Sequence, residues 1–195
     1  MERDTARGLC DPSFTRSNTR VREPGIAFMD EIQRLSELLI ANQQYEEQKH
    51  QRFHADLTQW NVSIEALYQQ IEQWLKPLVD AGQTTFDYEP HLAQSKGYPD
   101  ENSPFRTRRM GFSLANHAIT FVPDSMGAKG QVSVSAGGLS LHGQEKYSLY
   151  LDAATQGWMV KRTVGVKDSE PLPFTSEFLG KLLQGIVPQR GLPAA

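Results

Sequence analysis

Residues 26–76 read IAFMDEIQRLSELLIANQQYEEQKHQRFHADLTQWNVSIEALYQQIEQWLK, a run of 51 residues that contains neither glycine nor proline. Pro24 and Gly25 precede this run, and Pro77 and Gly82 follow it. Both residue types mark helix ends, because proline lacks a backbone donor and glycine readily adopts the left-handed conformation of a helix cap. The sequence therefore predicts a helical segment over residues 26–76.

Apolar residues recur every seven positions along this segment. One series is Ile32, Leu39, Glu46, Phe53, Trp60, Leu67 and Trp74, and its companion in the second half is Leu57, Ile64, Ile71 and Leu78. Spacings that alternate between three and four residues are typical of coiled coils and helix bundles. We therefore predict that a partner contacts the stripe formed by Phe53, Leu57, Trp60, Ile64, Leu67, Ile71 and Trp74. On this hypothesis, Leu67→Asp or Ile71→Asp would dissociate an oligomer without unfolding the rest of the chain.

The segment can form either one helix or a hairpin. A single helix of 51 residues would be about 76 Å long at about 1.5 Å per residue, and only a second surface could cover its stripe. A hairpin would turn at residues 61–63, where Asn61 and Ser63 are good capping residues. The absence of glycine and proline favours the single helix. Trp60 and Trp74 are too large for a narrow two-stranded core and favour a bundle, or a helix end that packs on the following domain.

The formal net charge of −3 is unevenly distributed. Residues 24–80 contain four basic and nine acidic residues, which gives −5, whereas residues 1–23 and 81–195 each carry +1. An acidic helix repels polyanions, which disfavours nucleic acid as a partner. Because a long amphipathic helix buries its apolar stripe only against another surface, we expect a homodimer or a helical protein partner. The 15 glycines, the single cysteine (Cys10) and the aromatic content exclude collagen-like, disulfide-rich and wholly disordered chains.

Beyond Gly82 the repeat changes to the alternation of β-strands. Short strands are predicted at residues 84–88, 110–114, 119–121, 132–135, 139–141, 147–151 and 158–161, with turns at Asn116-His117 and at Gly137-Gly138. Pro90 is expected to end the first strand, and a polar linker should follow it. A last helix, capped by Thr175 or Ser176, carries the apolar stripe Phe178, Leu179, Leu182, Leu183 and Ile186 and ends before Pro188.

These elements predict an α+β fold, in which a long N-terminal amphipathic helix, either a coiled coil or a helical hairpin, precedes an antiparallel β-meander packed by a C-terminal helix. We expect a disordered tail at residues 1–24, a helical association segment at 25–82, a sheet-and-helix module at 83–187 and a flexible tail at 188–195. The first 25 residues lack the apolar run of a signal sequence, and no stretch is apolar enough to span a membrane, which predicts a cytoplasmic protein.

Two groups of side chains suggest alternative functions. Arg106, Arg108 and Arg109 are the densest basic cluster and lie near aromatic residues, which is the composition of a phosphate or nucleic-acid site. Asp87, Glu89 and His91 alternate along a strand, which would place two carboxylates and an imidazole on one side, as a metal-dependent enzyme requires. His50 and His54, four residues apart on the helix, also share one face.

The leading hypothesis is a non-enzymatic interaction or adaptor protein that self-associates through its acidic helix. The alternatives are a nucleic-acid-associated regulator and the metal-dependent enzyme. No catalytic residue, metal ligand or cofactor is assigned, because no motif for acyl transfer, nucleotide binding or zinc hydrolysis occurs in the sequence.

Overall fold

A computed structural model describes residues 24–98, 103–140, 143 and 145–188, with side chains from Asp30 onward. The order of elements is α1 (Pro24–Asp80), β1 (Phe86–Ala93), β2 (Phe105–Leu114), β3 (His117–Pro123), β4 (Ser133–Gly137), β5 (Glu145–Leu151), β6 (Trp158–Val164), β7 (Lys167–Asp168), β8 (Leu172–Pro173) and α2 (Ser176–Ile186). A long N-terminal helix, an antiparallel sheet and a C-terminal helix confirm the predicted α+β class. Apart from Pro24 and Pro188, the two predicted tails lie outside the described residues, as does Cys10.

The first element, α1, is one helix and not a hairpin. Pro77, predicted to end it, lies inside its last turn. The helix instead continues to Asp80, and Gly82, which adopts a φ of +68°, caps its end. The Gly82 N–H donates to the Val79 carbonyl at 2.9 Å, and the Gln83 N–H donates to the Leu78 carbonyl at 2.9 Å. This pair of bonds is a Schellman motif, which satisfies the last carbonyls of the helix at a residue without a β-carbon.

The eight strands of the described residues form one sheet, and all their ladders are antiparallel. Its order is β1-β2-β3-β4-β5-β6-β7, and β8 also pairs with β6. From β1 to β7, neighbours in the sheet are neighbours in the chain, which is the predicted meander. The register places Tyr88 opposite Met110, and Met110 opposite Phe121.

Three local predictions need correction. Strand β1 continues through Pro90 to Ala93, because it is an edge strand and proline is tolerated at a sheet edge. The turn between β2 and β3 consists of Ala115 and Asn116, both with positive φ, one residue earlier than expected. Gly137 and Gly138 do not form a two-residue hairpin, since β5 begins only at Glu145.

The C-terminal helix, α2, agrees more closely with the prediction from the sequence. The Thr175 hydroxyl caps α2 by accepting a hydrogen bond from the Phe178 N–H at 3.2 Å. Leu179, Leu183 and Ile186 are buried, while Phe178 and Leu182 are partly buried against the same core. The stripe predicted for this helix is thus its packing face, which offsets the low intrinsic helix propensity of its two glycines.

The chain divides into two compact units, Met1–Glu46 and Glu47–Ala195. The boundary falls within α1, so the second half of this helix belongs to the same unit as the sheet and α2. Fully buried side chains of that half, such as Trp60 and Leu67, share a core with Met110, Phe121 and Leu149 of the sheet. The predicted domain boundary at residue 82 therefore separates elements that pack together.

Candidate functional site

The stripe predicted to meet a partner lies in the interior of the second unit. Phe53, Trp60, Ile64, Leu67 and Ile71 are buried, and Leu57 and Trp74 are partly buried. The Trp60 ring meets the Phe105 ring edge-on at 5.2 Å between centroids, and Trp74 lies 5.4 Å from Phe174. These residues therefore pack against the sheet of their own chain and against Phe174, which lies between β8 and α2.

Because these residues are buried, the substitutions suggested by the sequence are expected to affect folding rather than association. Leu67 and Ile71 have no exposed surface, so an aspartate there would be a charge without a partner inside the core. We now expect Leu67→Asp or Ile71→Asp to unfold the second unit, which makes them unsuitable as tests of self-association.

Polar contacts also connect this half of α1 to the sheet. The Tyr68 hydroxyl donates to the carbonyl oxygens of Arg108, at 3.1 Å, and Phe121, at 3.2 Å. The Tyr88 hydroxyl donates to the Glu72 carboxylate. Burial raises the pKa of the Tyr68 phenol above its ordinary value, and the neighbouring Glu65 carboxylate acts in the same direction. These bonds fix the helix against strands β1, β2 and β3.

The three arginines of the basic cluster do not form one unpaired patch. Arg108 donates through Nε to Glu65 at 2.7 Å, and its guanidinium lies 4.2 Å above the Tyr88 ring. Arg109 pairs with Glu89 across the β1-β2 ladder, at 3.0 Å from its Nε. Adjacent residues of a strand face opposite sides of the sheet, which separates Arg108 from Arg109. Only Arg106 has no carboxylate partner among the contacts described for this cluster, so the geometry does not favour a phosphate site.

The proposed metal ligands are also engaged elsewhere. Glu89 pairs with Arg109, and His91 Nε2 lies 3.1 Å from the Pro123 carbonyl oxygen. Asp87 is exposed on β1. Within the part of the chain that the structure describes, no three His, Cys, Asp or Glu side chains are grouped so that they could hold a metal ion. On α1, His50 and His54 do share a face as predicted, with their Nε2 atoms 2.9 Å apart.

The first half of α1 carries a different kind of surface. Six large apolar side chains there have between 53% and 68% of their area exposed, namely Ile32, Leu35, Leu38, Leu39, Ile40 and Tyr45. All but Ile40 fall on one face at helical spacing, and we call Ile32, Leu35, Leu38, Leu39 and Tyr45 the N-terminal stripe. Exposed apolar clusters on folded proteins are typical of interaction sites.

Sequence reasoning found only part of the N-terminal stripe. Ile32, Leu35 and Leu39 belonged to the predicted seven-residue repeat, but Leu38 and Tyr45 were not singled out. The missed signal is that Leu38 and Tyr45 are themselves seven residues apart. They extend the stripe sideways from Leu39, which makes it wider than the seam of a simple two-stranded coiled coil.

The second unit contains an open groove of about 740 Å³ between the end of α1, the β2-β3 turn and α2. Trp74 and Leu78 of α1, Leu114 of β2, and Leu179 and Leu183 of α2 are among the residues that line it. The sequence did not indicate this groove, because its walls come from three segments far apart in the chain.

No protein-family model, curated protein or solved structure matches this chain. None of the described helices combines the length and the apolar character needed to cross a membrane.

Proposed function

We propose that this chain is a non-enzymatic interaction protein that self-associates through the N-terminal stripe of α1. The observation that supports the proposal is the exposure of five large apolar side chains on one face of a helix. The second unit covers the other apolar stripe of α1 with its own sheet, which leaves the N-terminal stripe as the surface for a partner.

The spacing of the N-terminal stripe fits a helical partner. Ile32, Leu35 and Leu39 are separated by three and four residues, the pattern that inserts side chains between those of a facing helix. Full burial of one such side chain contributes about 1.5–3 kcal/mol, so several together offset the entropic cost of association. A second copy of the chain supplies the same face, and a symmetric dimer is the commonest way to bury it.

The core positions after Leu39 are polar. Asn42 lies three residues after Leu39, and Glu46 occupies the next position of the seven-residue series. Polar residues at core positions weaken helix pairing and help to set its register. We therefore propose that the helices pair along Ile32, Leu35 and Leu39 and that this pairing ends near Asn42.

The proposal is tested by size-exclusion chromatography with light scattering over a range of protein concentrations. The wild type should be an oligomer, and the double variant Leu35→Asp/Leu39→Asp should be a folded monomer. The matched control is Gln33→Asp/Gln44→Asp, which adds the same charge to the same helix outside the stripe. A wild-type protein that is monomeric at every concentration, or a control that dissociates as the stripe variant does, would contradict the proposal.

The cytoplasmic location predicted from the sequence is part of this proposal, and fractionation of cells tests it. The nucleic-acid and metal alternatives gain no support from the described contacts, since Arg108 and Arg109 are paired with carboxylates and His91 bonds to a backbone carbonyl.

A further inference from the structure

We propose that the groove between α1 and α2 binds an elongated, uncharged apolar molecule, such as an aliphatic chain with a neutral hydroxyl or amide end. This site is separate from the N-terminal stripe and does not depend on self-association.

The size and walls of the groove fit a small ligand. Its volume of about 740 Å³ lies in the range of small-molecule pockets, roughly 300–1,000 Å³. Leu75, Leu179 and Leu183 are buried at its base, and Trp74 and Leu78 are only partly covered by the rest of the protein. A bound aliphatic chain would therefore remove apolar surface from water on both sides.

The polar groups that line the groove indicate whether its ligand is charged or neutral. They belong to Gln83, Ser176 and Gln184, and none of the described lining residues is charged or is a histidine. An ionic ligand would lose hydration there without meeting a counter-charge, which is costly. Amide and hydroxyl groups instead match a neutral end that donates or accepts a hydrogen bond.

Gly180 is the position in α2 where a side chain would narrow the groove. It lies in the middle of α2, where glycine is less favourable than alanine by about 1 kcal/mol. Its φ is not positive, and a β-carbon built there meets no atom within 4 Å, so neither backbone conformation nor packing requires glycine. Gly180 lines the groove, and any larger side chain would project toward the space a ligand would occupy. We infer that glycine at this position keeps the groove open.

Gly185 offers a matched control within the same helix. A β-carbon at Gly185 likewise meets nothing within 4 Å, but Gly185 does not line the groove. Gly180→Leu and Gly185→Leu therefore make the same chemical change in α2, and only the first places a side chain in the groove.

The experiment measures the binding of Nile red, a neutral apolar dye, by its fluorescence. Decan-1-ol, which is neutral, and decanoate, which is an anion, are then compared as competitors that displace the dye. All measurements use the Leu35→Asp/Leu39→Asp variant, in which two aspartates disfavour dye binding to the N-terminal stripe, so failure of the self-association proposal does not affect this test. We expect the protein to bind the dye. Decan-1-ol should displace the dye at concentrations at least about tenfold lower than decanoate does. Gly180→Leu should bind the dye at least about tenfold more weakly, whereas Gly185→Leu should bind it normally.

Several outcomes would overturn the proposal. They are an absence of dye binding, decanoate that competes as well as decan-1-ol, and unchanged binding in Gly180→Leu. If Gly180→Leu does not fold by circular dichroism, the smaller Gly180→Ala replaces it and should still weaken binding relative to Gly185→Ala. Binding that appears only in a chain ending at Pro188 would show that residues 189–195, and not a separate molecule, are the natural occupant.

Discussion

Leu39 and Leu67 belong to the same seven-residue series of one helix, yet Leu39 is 62% exposed and Leu67 is completely buried. The two halves of α1 thus present similar repeats to different surroundings. An apolar repeat identifies which face of a helix avoids water, but it does not identify the surface that covers that face. In α1 the second half is covered by the sheet of its own unit, whereas the large apolar side chains of the first half are exposed.

The residue types distinguish the two halves. The second half has large rings, which pack against rings of the sheet, of the β1-β2 connection and of the segment before α2; they are Phe53, Trp60, Tyr68 and Trp74. The first half uses Ile and Leu at the same spacing, with Tyr45 as its only aromatic residue among those whose side chains are described. Aromatic rings suit a broad sheet surface, and short branched side chains suit the narrow gap between two helices.

The largest expected effect compares one buried and one exposed leucine. Leu67→Ala should lower the free energy of unfolding of the second unit by about 2–5 kcal/mol, because it leaves a cavity in the core. Leu39→Ala should change it by no more than about 0.5 kcal/mol at a concentration where the protein is monomeric. Chemical denaturation measures both. Equal losses of unfolding free energy in the two variants would contradict the description of Leu67 as buried and Leu39 as exposed.

A second prediction concerns the dependence of thermal stability on concentration. If the N-terminal stripe binds a second copy only in the folded state, the melting temperature of the wild type should rise with protein concentration. The melting temperature of Leu35→Asp/Leu39→Asp should not. Calorimetry over a wide concentration range measures this, and identical slopes for the two proteins would contradict the assignment of the stripe.

A third prediction concerns alkaline pH and Tyr68. Burial raises the pKa of its phenol above the ordinary value of about 10, so the unfolded chain releases this proton at a lower pH than the folded chain. The corresponding stabilisation is complete below pH 10 and is lost as the pH rises above it. Denaturant titrations from about pH 8 to about pH 11 should show a steeper loss in the wild type than in Tyr68→Phe.

At neutral pH the same variant measures the hydrogen bonds of that hydroxyl. Tyr68→Phe should lower the free energy of unfolding by about 0.5–1.5 kcal/mol. Tyr45 is exposed, so Tyr45→Phe should leave the free energy of unfolding of the monomer almost unchanged. A loss of the same size at both positions would argue against the contacts of Tyr68 with the Arg108 and Phe121 carbonyls.

The smallest effect is expected at the ion pair between α1 and β2. Arg108 and Glu65 are 46% and 37% exposed, so water and salt screen their attraction. Glu65→Gln should lower the free energy of unfolding by about 0.2–1 kcal/mol at low ionic strength, and by less in high salt. A salt-independent loss would indicate that packing of Arg108 over Tyr88, rather than charge, is the important contact.

Sequence reasoning predicted the long helix, the meander and the capped C-terminal helix, since each depends on local periodicity or on a local bond such as the one that Thr175 accepts. Trp60 and Trp74 also indicated a helix end packed on the following domain, one of the alternatives considered. The predicted extent of β1 was wrong. A strand tolerates Pro90 only where the strand lies at the edge of the sheet, and this position depends on the arrangement of the whole sheet. The groove around Gly180 depends on tertiary packing in the same way, and a glycine in a helix says nothing by itself about the space beside it.

The position of Pro90 has a consequence for the exposed edge of the sheet. An exposed edge strand can recruit another strand and so extend without limit into aggregates. Pro90 leaves a gap in the row of backbone donors on β1, and Asp87 and Glu89 would bring like charges together if two such edges approached each other. Strand-by-strand growth of aggregates through this edge of the sheet is therefore disfavoured.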